Sequence, residues 1–210
     1  MATADQSSAP AAGASPGKVP RTARGRETLR RLLDAAAAEF GEHGFHEASI
    51  SGITRRAGTA LGSFYTYFDS KDAIFAALVR DMSQGVAQAA AAGITPGSTG
   101  IRREREALAA FLAFAREHKE LYRIIDEAEF ADPASYRAHY EGTARRIAAR
   151  FDESVAGGAM AAGDNEVRAW AVMGMNVFLG LRFGVWAEDR TVDEIAACAE
   201  ALLSDGLKPR

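Results

Sequence analysis

The segment Ile50-Ser-Gly-Ile-Thr-Arg-Arg-Ala-Gly-Thr-Ala-Leu-Gly-Ser-Phe-Tyr-Thr-Tyr-Phe68 constrains the fold more than any other stretch of the chain. It reads as a short helix over 50–57, a tight turn at Gly58 and a second short helix over 61–67. Ile50, Ile53 and Ala57 share one face of the first helix, while Phe64 and Phe68 share one face of the second. Both faces must bury against a third element, and the preceding run supplies it. Leu29, Leu32, Leu33, Ala36 and Phe40 recur at three- and four-residue steps from Glu27 onward, with charges on the opposite side. Gly44 is placed to stop that helix in a left-handed turn, with Phe45 as the hydrophobic contact that often follows such a stop. The outcome is a three-helix core.

Packed this way, the helix over 61–67 turns Leu61, Gly62, Ser63, Tyr65, Thr66 and Tyr67 outward. Hydroxyls reach phosphates and bases, small residues permit close approach, and apolar groups meet thymine methyls, so the face suits a DNA major groove. The net charge of −3 argues against such a partner until its distribution is considered. Lys18, Arg21, Arg24, Arg26, Arg30 and Arg31 face only Glu27 between positions 18 and 31. Residues 76–210 hold 16 Lys and Arg against 20 Asp and Glu, so the positive charge sits at one end.

The remaining chain is expected to be helical throughout. Residues 1–17 hold almost no large apolar group and are expected to be disordered. Beyond the motif, helices are expected over 71–92, 100–117, 119–129, 133–161, 165–187 and 191–206. Gly93-Ile-Thr-Pro-Gly-Ser-Thr-Gly is a linker, and Asp132 is placed to cap the helix that Pro133 starts. No stretch alternates with period two, so the fold class is all-α with about nine helices.

Several function classes lose support on composition and motifs. No phosphate loop, dinucleotide fingerprint or nucleophile elbow is present, so no enzyme activity and no cofactor are expected. The four histidines show no metal-ligand spacing. No apolar run approaches the roughly 18 residues of a membrane span, and no signal-peptide block opens the chain, so a cytoplasmic location is expected. The single cysteine, Cys198, fits a reducing compartment and is expected to be packed within its helix seam.

The motif resembles the TetR family of helix-turn-helix transcriptional regulators. The match is carried by Gly44-Phe45, Ser49, Ile53, Ala57-Gly58, Gly62-Ser63-Phe64-Tyr65, Phe68 and Lys71. The resemblance implies an operator-binding homodimer, most often a repressor, in which the helix over 61–67 reads the major groove. It assigns DNA contact to Ser49, Ser51, Thr59, Ala60, Leu61, Gly62, Ser63, Tyr65, Thr66 and Tyr67, with Lys71 clamping a phosphate. Ser49 would also cap its helix, and Arg24 and Arg26, ahead of the first helix, could form an arm. Gly52 departs from the frequent acidic residue three after the cap, so the reciprocal capping box is lost. Ala60-Leu61 replaces a polar pair that often touches DNA in relatives. The motif reports DNA binding and not its sign, so activation, or a ligand-binding adaptor without an operator, are the rival readings.

The resemblance fades beyond about residue 80, and the rest is read on its own terms. The helix over 165–187 is apolar nearly all round, so it must be buried on two sides. With the seam Val192, Ile195, Ala199, Leu202 and Leu203 it could form a four-helix bundle between two chains. Val172, Leu179, Phe183, Trp186, Ile195 and Leu202 are the candidate dimer residues. The middle helices are rich in rings with polar tips, which suits an apolar cavity for a small-molecule effector. Phe111, Phe114, Tyr122, Phe130, Tyr136, Tyr140, Trp170, Met173 and Asn176 are the candidate lining. The expected organisation is a basic tail over 1–23, a helix-turn-helix domain over 24–75 and a ligand-binding and dimerisation domain over 76–210.

Overall fold

The computed structural model describes residues 20–205, so most of the expected N-terminal tail lies outside the described residues. Among the described residues there are nine α-helices and no strands. Three form the head: α1 (Ala23–Glu47), α2 (Ile50–Ala57) and α3 (Leu61–Tyr67). The long α4 (Lys71–Ala92) leads out of it into α5 (Gly100–Glu117), α6 (Glu120–Ala131), α7 (Pro133–Ala156), α8 (Asn165–Gly180) and α9 (Val192–Asp205).

Local chemistry explains most boundaries. Asp132 Oδ1 accepts the Ser135 N–H at 3.2 Å ahead of Pro133, and Asp164 Oδ1 accepts the Val167 N–H at 3.1 Å. At α9, Thr191 Oγ1 accepts the Glu194 N–H while Glu194 accepts the Thr191 N–H, a reciprocal capping box. Three boundaries depart from expectation. The first helix begins at Ala23, where Thr22 Oγ1 accepts the Gly25 N–H, so Arg24 and Arg26 lie in its opening turns rather than ahead of it. It also continues past Gly44 as a kink at φ 78°, which glycine adopts without strain, and ends at Glu47. The seventh helix stops at Ala156 rather than 161 because Gly157-Gly158 follows.

The head is not a separate globule. Its core of Leu32, Phe40, Ile53, Phe64 and Phe68 runs on into Ile74, Phe75 and Leu78 of α4 and Leu121, Ile124 and Ile125 of α6. Phe75 meets Phe40 edge-on at 5.1 Å and Phe45 at 4.8 Å. Each such ring contributes about 1.5–3 kcal/mol by leaving water. Two smaller cores follow. One joins Ala144, Ile147 and Phe151 of α7 to Ala169, Val172 and Met173 of α8. The other joins Leu108 and Leu112 of α5 to Ile195, Ala196 and Ala199 of α9.

The end of α8 winds into a π-helical segment, Leu181–Trp186, whose last turn is held by Arg116 Nη2 donating to Phe183 O at 3.0 Å and Arg190 O at 2.6 Å. The joined segment Asn165–Trp186 has a mean hydropathy of 1.2 and is long and apolar enough to cross a bilayer, which corrects the expectation that no stretch reaches that length. It carries Arg168 and Arg182 and buries Ala169, Val172 and Met173 against α7, while Val167, Trp170, Phe178 and Trp186 stay exposed. Cys198 is exposed on α9, not packed.

Candidate nucleic-acid interface and effector cavity

Gly58, at φ 61° and ψ 38°, sits in the left-handed region that lets the chain turn sharply between α2 and α3. Phe64 and Phe68 anchor α3 in the head core, and Leu61, Gly62, Tyr65 and Thr66 face outward. Nothing lies within 4 Å of where a Cβ on Gly62 would stand, so a partner can approach its backbone closely. Ser49 caps α2 by accepting the Gly52 N–H at 3.0 Å, and its Oγ lies 3.1 Å from that of the exposed Ser51.

Not every residue assigned to DNA is placed to reach it. The Thr59 hydroxyl is buried and unpaired, and Ser63 is half-buried. Tyr67 is half-buried against the head core, its hydroxyl close to Gly25 at the start of α1. Lys71 departs furthest. Its ammonium donates to the carbonyls of Phe45 (2.7 Å), His46 (3.0 Å) and Ala48 (3.0 Å) and lies 4.8 Å from the Phe45 ring centroid. An ammonium has three donors, and all three serve the end of α1. Replacing Lys71 by methionine should therefore lower head stability by about 1–3 kcal/mol, since each deserted carbonyl loses a charge-assisted bond. Thermal melting checks this: an unchanged melt together with a shallower salt dependence of DNA binding would return Lys71 to the role of phosphate clamp.

The missing capping box is rebuilt from another helix. Glu39 of α1 is buried, and a Cβ on residue 52 would collide with its carboxylate. That carboxylate accepts from the Ser49 N–H at 3.5 Å, the donor that an acidic residue at 52 would otherwise satisfy, and from Arg56 Nε at 2.7 Å. Burial opposes ionisation of Glu39, but the bonds from Arg56 and Ser49 outweigh it and hold the carboxyl below its usual range. Sequence reading missed Glu39; a carboxylate on the apolar side of an amphipathic helix was its signal.

Behind the head, α4 to α8 line a half-open cavity of about 420 Å³. Five of the expected residues line it: Phe111, Tyr122, Tyr140, Met173 and Asn176. Four do not. Phe130 is 83% exposed on the outside of α6, and Trp170 lies on the outer side of α8. Phe114 packs beside His118 with ring centroids 4.3 Å apart, and Tyr136 stands edge-on to Tyr140 at the margin of the head core. Lining residues that the reading missed include His139, Arg146, Arg150 and Glu153 of α7, which a ring-seeking search passes over.

Tyr122 donates to Val177 O at 2.8 Å, and burial raises its phenol far above the ordinary value. Burial, then the Tyr136 and Asp126 charges, push Tyr140 up to about 12. Burial and then Arg146 push His139 down to about 4, so it is neutral at neutral pH. Ser83 gives its one proton to Val79 O at 2.7 Å, so at 2.8 Å it accepts from His139 Nδ1–H. The cavity wall is thereby tied to α4.

The expected dimer residues divide. Val172 and Ile195 are buried within the protomer, and Leu179 and Phe183 pack against the core of α5 and α9. Trp186 (70% exposed) and Leu202 do face outward, joined by Val167, Trp170 and Phe178 (71% exposed). Within α8 itself the exposed apolar stripe is thus Val167, Trp170 and Phe178 rather than Val172 and Leu179.

Fold and site together define the class: an all-α protein with a helix-turn-helix head built onto a hollow helical body. Residues 32–78 match the family described as bacterial regulatory proteins, tetR family. An uncharacterised HTH-type transcriptional regulator of Bacillus subtilis (strain 168), YdgC, is 51% identical over 63 residues, covering 30% of this chain and 32% of that protein. A TetR-like transcriptional regulator from Rhodococcus sp. RHA1 superposes with a TM-score of 0.70 and 26% identity, over 92% of this chain and 100% of that one. FadR from Bacillus subtilis, solved in complex with stearoyl-CoA, shares the fold with a TM-score of 0.75 and 17% identity, over 85% and 99% of the two chains. The likeness to the tetR family is thus carried by the head, and the likeness of the whole chain is one of fold. The chain spans about a quarter to a third of the length of the curated relatives it matches.

Proposed function

We propose that the chain is a ligand-controlled transcriptional repressor of the cytoplasm, which holds a palindromic operator as a homodimer and releases it when a small amphipathic molecule fills the cavity. The observation that carries this reading is that two helices belong to both ends of the molecule. On α6, Leu121, Tyr122 and Ile125 line the cavity, while Arg123 donates to Gly41 O and Glu42 O at 3.0 and 3.1 Å. Glu127, one turn on, accepts the Phe45 N–H at 2.6 Å, so α6 completes the last turns of α1. On α4, Val86 and Ala90 line the cavity and Lys71 grips the same end of α1. A ligand that shifts either helix shifts the head.

Two recognition helices about 34–36 Å apart would meet successive major grooves, and a change in that spacing ends binding. The ligand must favour the released arrangement, because equal affinity for both states shifts nothing. The acyl-CoA seen with FadR supports a ligand with an acyl-like apolar part. A gel shift with the chain's own upstream DNA tests the reading. Thr66→Ala and Tyr65→Ala should each cost about 1–3 kcal/mol and relax base preference. If both variants bind operator and random DNA as the parent does, α3 is not the reading helix.

A further inference from the structure

The cavity wall is polar in an uneven way. Among the described residues, two buried side-chain atoms without a hydrogen-bond partner belong to cavity-lining residues: Arg103 Nε and Asn176 Oδ1. Three arginines stand on the side formed by α5 and α7. Arg150 is fully matched, its Nε and Nη2 donating to the two oxygens of the buried Glu104 at 2.7 and 2.6 Å. Arg103 Nη1 donates to Glu153 Oε2 at 2.6 Å. Arg146, one turn before Arg150, makes its only side-chain bond to Thr143 Oγ1 at 3.0 Å, and among the described residues no carboxylate pairs with it. The neighbouring His139 is neutral and cannot be what balances it.

At the exposed rim of this side, Arg146 therefore presents a guanidinium with no carboxylate partner among the described residues. Burial, then Arg150 and Arg145, push the Arg146 group below its ordinary value, as crowded positive charge does. The one acidic wall residue without an arginine partner, Asp126, lies elsewhere, among Tyr122 and Tyr140 on the α6 side. The rest of the lining is largely apolar, including Val86, Ala90, Ile94, Ala107 and Ile147. The volume of about 420 Å³ lies within the usual range of small-molecule sites.

We infer that the effector is an anionic amphipath whose acidic group, a carboxylate or a phosphate, is held by Arg146 at the α5–α7 side of the cavity. Its apolar chain runs along Val86 and Ala90 of α4 and Ile94 just beyond that helix, and Asp126 turns the acidic end away from α6. Asn176 Oδ1 offers a second anchor to a ligand donor. This rests on the effector reading above, and deepens it by naming the charge the ligand carries.

Titration of the full chain with dodecanoate, dodecyl phosphate and 1-dodecanol, below the concentrations at which micelles form, separates the two. The parent should bind one of the two anions at least about tenfold more tightly than the alcohol, a preference of ~1.4 kcal/mol. The tighter of the two names the acidic group. Arg146→Gln should bring acid and alcohol within about threefold while leaving the affinity for dodecanol unchanged, and Arg146→Lys should keep most of the preference. Binding of both anions no tighter than the alcohol by the parent, or an undiminished preference in Arg146→Gln, overturns the inference and leaves the effector cavity standing on its binding of dodecanol. Binding of none of the three probes overturns both.

Discussion

Phe178→Glu should yield a folded monomer that has lost most of its operator affinity. In a single protomer this side chain is 71% exposed, so the new carboxylate meets water and costs the fold little. In the proposed dimer it would be buried without a partner, at a cost of several kcal/mol. Losing the second head forfeits the gain from linked binding, about 10²–10⁴-fold. Sedimentation velocity and thermal melting together are the measurement. A variant that remains dimeric at micromolar concentration moves the interface off this stripe, whereas an unfolded one would mean that α8 depends on Phe178 within the protomer.

Glu104→Ala should give the largest loss of stability of any single replacement in the body. The carboxylate is buried between α5 and α7, where it takes both bonds from Arg150. Removing one partner of a buried pair leaves the other charge uncompensated, at about 3–5 kcal/mol. For a chain of this size that corresponds to roughly a 10 °C fall in melting temperature. Glu104→Gln, which keeps an acceptor, should lose less. Equal melting of the parent and Glu104→Ala would show that Arg150 is hydrated in place and that the pair is not what joins the two helices.

Where structure depended on neighbours in sequence, the sequence was legible. The bounds of α2, α3, α4 and α5 fall where the pattern placed them, because Gly58, Ser70 and the Gly93–Gly100 linker act on adjacent backbone. The motif from Gly44 to Lys71 identified the head on the same grounds. What the sequence left open was decided across the fold. Lys71 is caught by carbonyls more than twenty residues away, and Tyr67 by the start of α1. The phase of α8 shows the limit best: a helix apolar all round does not say which side its own domain takes. Ala144, Ile147 and Phe151 of α7 select Ala169, Val172 and Met173, and this turns Phe178 and Trp170 out instead of Leu179. Charged residues of a cavity wall were missed for a related reason. Arg150 looks like an ordinary surface arginine until Glu104 of α5 pairs with it, and Arg146, still exposed, borders the cavity only because of how α7 packs.

The bonds from Arg123 and Glu127 to the end of α1 bear on how a protein with the proposed function could be recombined. A DNA-reading module is commonly treated as a cassette, to be cut at the start of α4 and joined to a different sensor. In this protein the cassette's longest helix is finished by side chains some eighty positions downstream. A chimera that keeps this head but imports a foreign α6 would leave the carbonyls of Gly41 and Glu42 and the amide of Phe45 without their partners. The graft should succeed only where the incoming sensor offers an arginine and a glutamate at the same two places. For this head, compatibility with a sensor is thus expected to be written in one turn of α6.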